Sequence, residues 1–102
     1  MNLRGFFFAT VFLASLASAD EALEHLKQGL PSPEAQFVER AANCNHWAGE
    51  EPYDAERAAE ISKAISELRC SSLDADEARL LKRYKGNTAI ERAIREGRQY
   101  SL

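Results

Sequence analysis

No stretch of this 102-residue chain alternates apolar and polar side chains with the period of two that a half-buried strand requires. That absence excludes a sheet. Beyond Leu16 no apolar run long enough to cross a bilayer recurs, so no transmembrane span is expected downstream of the first residues. Internal repeats, low-complexity tracts and long linkers are missing too. So are a phosphate-cradling glycine loop, a serine elbow and a paired-cysteine redox motif, and the chemistries that depend on them have no support here. Cysteine is scarce, with only Cys44 and Cys70.

The chain does have a strongly marked beginning. Arg4 precedes a run through Phe6, Phe7, Phe8, Val11, Phe12, Leu13 and Leu16, and Ala17-Ser18-Ala19 puts small residues at both positions a signal peptidase reads. This predicts a signal peptide over 1–19, cleaved after Ala19, and a secreted, periplasmic product of residues 20–102. No second apolar run supports the competing reading of an uncleaved anchor. Residues 20–102 are enough for one domain, with a core so small that a covalent staple would help it. Two cysteines in an oxidising compartment predict a Cys44–Cys70 disulfide. It closes a loop with 25 intervening residues and is worth about 3.5 kcal/mol by chain entropy.

Thirteen basic and sixteen acidic residues give −3, and loss of Arg4 with the leader leaves −4. The distribution is uneven. Residues 20–78 hold fourteen acids and five bases, whereas residues 79–102 hold seven bases and two acids. Lys82, Arg83, Lys85, Arg92, Arg95 and Arg98 therefore make a basic C-terminal region that either compensates the acidic body or meets an anionic envelope surface. Export and the acidic total exclude nucleic acid as a partner.

Helix signals fill the rest. Asp20 to Leu30, with Leu23, Leu26 and Leu30 on one stripe, predicts a short first helix that frays or packs late. Ser32, Pro33 and Glu34 open a helix to about Ala42–Cys44 that buries Phe37, Val38 and Ala41. Asp54 caps a helix to Arg69 carrying Ala58, Ile61, Ile65 and Leu68. Ser72 or Asp74 caps another, stopped by Gly86, and Asn87 or Thr88 opens a last one ended at Gly97. The expected fold class is all-α, a compact bundle of three to four short helices stapled by one disulfide. If both cysteines end helices, an antiparallel hairpin would hold them too far apart for a bridge. The spacing then predicts that Asn45 to Tyr53 runs back as an extended strap and that the second of these helices lies parallel to the first or crosses it steeply.

The strap holds the least generic composition in the chain. His46, Trp47, Glu50, Glu51, Tyr53 and Asp54 crowd beside Gly49, whose freedom permits a positive φ, and Pro52, which stiffens the exit. As packing, the aromatic side chains pin a long connection. As function, the cluster makes a tentative binding surface with Trp47 or Tyr53 as anchors. A metal-binding or hydrolytic centre on His46 and Glu50 is the rival. Zinc needs three or four ligands and calcium at least six oxygens, a requirement these spacings do not meet, so no metal or cofactor is expected. A cysteine in a disulfide offers no thiolate, and about 80 residues of helix leave little room for a water-excluding cleft, so no catalytic residue is assigned.

The pattern C-x-H-W-x-G-E-x-P-Y-D-x-E-R from Cys44 to Arg57, followed by Cys70 and Arg83-Tyr84, resembles small exported bacterial proteins with no assigned activity. The resemblance spans most of residues 20–102 and implies a Gram-negative periplasm but no mechanism. The expected function is a non-enzymatic binding or interaction module whose partner is an envelope protein or a cell-wall component. The alternatives are the His46/Glu50 centre and an envelope-surface role for the basic C-terminal helix.

Overall fold

The computed structural model describes residues 19–102, so the expected leader lies outside the described residues except for Ala19. Helix α1, Ala19–Gln28, starts with Asp20 and Glu21 and ends with His25 and Lys27, charges that oppose the helix dipole at each end. It does not fray. Leu23 is buried in the core, and Lys27 bridges Glu24 at 3.1 Å and Glu39 of the next helix at 3.2 Å.

Helix α2, Ser32–Ala48, is the central element. Pro31 takes the N-cap position at φ −57°, so the helix includes Ser32 instead of being capped by its side chain. Phe37, Val38, Ala41, Ala42 and Cys44 form its buried face at helical spacing, with Leu73 and Ile94 packed against it. The expected end at Ala42–Cys44 is one turn short, because nothing in Asn45-His46-Trp47-Ala48 breaks a helix and its side chains find partners there. Gly49 then caps it in the right-handed region at φ −86°, its N–H reaching the Asn45 and His46 carbonyls. Gly49 does not use the positive φ that its freedom permits.

Helix α3, Ala55–Glu67, begins as the sequence predicts, with the Asp54 carboxylate accepting from the Arg57 N–H at 2.7 Å. The Cys44–Cys70 disulfide is formed, with Cα atoms 5.6 Å apart. Arg57, near the start of α3, lies over Trp47 and bonds Glu50, while Cys70, just past its other end, bonds Cys44. Both ends of α3 therefore reach the last turns of α2, and that requires a steep crossing. The crossing replaces the long extended strap, since only Glu50 to Tyr53 is non-helical after the Gly49 cap.

Arg69 ends α3 at φ +52°, and a 3-10 turn over Cys70–Ser72 leads into α4, Leu73–Arg83. Gly86 at φ +93° stops the chain after α4, and the Asn87 side chain accepts from the Ile90 N–H to open α5, Thr88–Gly97. The described residues thus form five α-helices around one core, all-α and disulfide-stapled. Gly97 is the last residue of α5, where the sequence predicts the helix to end. It is buried where a Cβ would stand 2.6 Å from Val38 Cβ, so its role is close approach between α5 and α2.

Beyond α5 the chain folds back on α2. The Asn45 amide donates to the Arg98 and Tyr100 carbonyls at 2.8 and 2.7 Å, and the Leu102 N–H reaches the Ala42 carbonyl at 3.5 Å. These contacts explain why Asn45 belongs to a helix.

Candidate functional site

The residues singled out between His46 and Asp54 divide into two groups. His46 and Trp47 sit on the last turn of α2, Glu50 to Tyr53 form the short connection, and Asp54 caps α3. The His46 ring presents Nδ1 to the Leu102 carbonyl at 2.6 Å and Nε2 to Glu50 Oε1 at 3.3 Å. Its edge meets Trp47, with ring centroids 5.5 Å apart. On the far side of Glu50, Arg57 bonds Oε2 at 3.1 Å, reaches Glu60 at 3.0 Å and covers the Trp47 ring at 5.2 Å. Hydrogen bonds donated to Glu60 first, then to Glu50, hold the Arg57 guanidinium even more firmly protonated than usual.

His46, Trp47, Glu50 and Asp54 are therefore occupied with one another and with Arg57. The geometry is that of a clamp between α2, α3 and the C-terminal residues. Glu51 and Tyr53 behave differently. Both side chains are exposed, Tyr53 to 80%, and neither makes a hydrogen bond or ion pair among the described residues. The clamp thus holds a short loop at both ends with one large aromatic side chain facing water. His46 and Glu50 are half-buried, and no third His, Cys, Asp or Glu joins them into a metal-holding group among the described residues.

The basic C-terminal region is spread over α4, the Gly86 turn and α5. Arg98 is engaged by Asp74 and by Glu77 at 3.2 Å, while Arg92 and Arg95 share a shallow depression with Glu91 and Glu96. Lys82 and Arg83 are on α4, on the other side of the Gly86 turn.

One constellation was missed by reading along the sequence. Arg40 and Phe37 of α2 face Leu80, Arg79 and Arg83 of α4 across a groove of about 390 Å³, and Arg69 closes one end of it. Arg40 meets Asp76 at 2.5 Å and Glu34 lies near Tyr84, so numbering rises along α2 as it falls along α4 and the two run antiparallel. Asp76 also bonds Arg79 and lies 3.0 Å from the Ser72 hydroxyl. Hydrogen bonds from Arg40 first, then Ser72, hold the Asp76 carboxyl below the usual carboxylate range. The four arginines come from three elements, and the i, i+4 spacing of Arg79 and Arg83 was the one local signal.

No protein-family model, curated protein or solved structure matches this chain.

Proposed function

We propose that the chain is an exported, non-enzymatic binding module that presents the Gly49–Asp54 loop to an envelope protein or a cell-wall component. The carrying observation is Tyr53, exposed to 80% at the centre of a loop held at both ends by the clamp and, behind it, by the Cys44–Cys70 bridge. An aromatic side chain on a preorganised support loses little entropy on docking, and such residues dominate interface energetics. The remaining polar groups of the cluster are spent on holding the loop, which leaves the His46/Glu50 pair as a clamp rather than a reactive centre. A disulfide suits an oxidising compartment, and no described helix is long and apolar enough to cross a membrane. With the leader and the C-x-H-W pattern, these features support the periplasm as the place of action.

The test uses affinity capture from envelope extract with the oxidised protein and a Glu51→Ala/Tyr53→Ala variant. Both substitutions remove exposed, unbonded side chains, so the melting temperature is expected to stay within about 4 °C of the parent, as surface changes of about 0.5 kcal/mol imply for a domain of this size. A partner retained by the parent and lost by the variant is the expected result. Equal capture by both would move the binding surface off this loop.

A further inference from the structure

The arginine-lined groove between α2 and α4 shares no residue with the loop bearing Tyr53 or with the clamp that holds it. We propose that it is a binding site for a phosphate ester, with the phosphate held by Arg69, Arg79 and Arg83 and an apolar or aromatic body lying on Leu80 and on the Arg40 guanidinium that covers Phe37.

The first argument is charge. Arg40 and Arg79 share one carboxylate, Asp76, while Arg69 and Arg83 have no salt-bridge partner among the described residues. The groove therefore carries three more formal positive charges than negative ones, in a chain whose total is −3. Mutual repulsion of guanidinium groups disfavours such a cluster unless an anion joins it. Guanidinium forks match phosphate and carboxylate oxygens, and a doubly charged phosphate ester neutralises more of the excess than one carboxylate does.

The second argument is Arg69 itself. It is the one non-glycine residue at positive φ among the described residues, at +52°. A chain reversal at a helix end ordinarily takes glycine or asparagine there, because a side chain makes the left-handed region unfavourable. Arginine in that place puts a guanidinium where the groove meets an adjoining hollow lined by the hydroxyls of Ser62, Ser66 and Ser71. Glycine would turn the chain more comfortably and supply no charge. The third argument is the floor. Phe37 is buried beneath the Arg40 guanidinium at 5.7 Å from the ring centroid, and Leu80 packs on the core edge, so the cavity presents an entering planar body with Leu80 and the stacked Arg40–Phe37 pair. Its volume falls in the range of small-molecule sites.

The same phosphate chemistry occurs in a soluble ester and in an anionic lipid headgroup. Phenyl phosphate titrated calorimetrically, and phosphatidylcholine vesicles containing phosphatidic acid in sedimentation, tell the two apart. The oxidised protein is compared with Arg69→Gly and Arg83→Gln. Arg69→Gly relieves the left-handed backbone, so it should melt no lower than the parent while weakening phosphate binding at least tenfold. Arg83→Gln alters an exposed, unpaired side chain and should do the same at unchanged melting temperature. Phenyl phosphate is expected to bind more tightly than both inorganic phosphate and benzoate, since only it offers the dianion and the apolar body together. Arginine-dependent binding of phenyl phosphate assigns a soluble ester, and arginine-dependent binding of the vesicles alone assigns a headgroup. Failure to bind either, binding that both variants retain, or equal affinity for benzoate would overturn the proposal. None of these outcomes bears on the Tyr53 loop.

Discussion

Glu34 carries the least expected burial of any described residue. Its place in the first turn of α2 suits the helix dipole, and from sequence alone it belongs to a solvated start signal. In the structure it is fully buried, with neither carboxylate oxygen meeting a donor at hydrogen-bonding geometry. Tyr84 lies close by, and burial first, then a hydrogen bond toward Glu34 too loose for strict geometry, raises its phenol above the ordinary tyrosine range. A buried carboxyl group held only by so loose a hydrogen bond costs about 1 to 3 kcal/mol on mutational scales, and replacing it by an apolar side chain of similar size returns that cost. Glu34→Leu should therefore raise stability by about 1 to 3 kcal/mol in chemical denaturation and bring the Tyr84 pKa down in a tyrosine titration. A loss of stability would mean that the carboxylate is anchored after all. Residue identity did reveal Asp54 as a cap, whereas the burial of Glu34 depends on α4 arriving over it, which no local pattern encodes.

At the level of elements, caps and apolar spacing made the helices legible and their boundaries less so. The start of α3 at Asp54, the stop after α4 at Gly86 and the start of α5 at Asn87 rest on chemistry within four residues of the boundary. The end of α2 does not. It is extended by Asn45 bonding to carbonyls more than fifty positions away, and so the strap expected from Asn45 onward is mostly helix. The glycines separate local from tertiary causes in the same way. Gly97 faces Val38, a fully buried β-branched side chain with little rotameric freedom, whereas a Cβ on Gly49 would meet only backbone oxygens at 3.5 Å or more. Gly97→Ala should cost about 1 to 3 kcal/mol through overpacking, despite alanine's better helix propensity. Gly49→Ala, in a right-handed conformation open to any residue, should be neutral or stabilising by up to about 1 kcal/mol. Thermal melts of the two variants check the contrast, and equal effects would remove the close-approach role of Gly97.

For the whole molecule, the disulfide does more than shorten the unfolded chain. Helix α3 buries only Ile61, which leaves it little core of its own. Its two ends are secured by the Arg57 contacts with Glu50 and Trp47 and by the Cys44–Cys70 bridge. Helices α2 and α5 share Val38, Ala41, Ala42 and Ile94, each without solvent exposure, and do not depend on the bridge for that packing. The pairing was legible because two cysteines admit one intramolecular bridge. Its reach was not, because the sequence does not say which helix lacks a core. The arginine groove was hidden for a related reason, since its cations meet only once α4 lies antiparallel to α2 and Arg69 has turned the chain between α3 and α4. Opening the bridge removes a loop constraint worth about 3.5 kcal/mol, a large share of the stability of so small a domain. That loss should fall unevenly. In the reduced protein, amide hydrogens of Ala55–Glu67 are expected to exchange much faster while those around Val38 and Ile94 keep most of their relative protection. Uniform acceleration across all five helices would show instead that the core cannot stand without the staple, and that α3 is as much a part of the cooperative unit as α2.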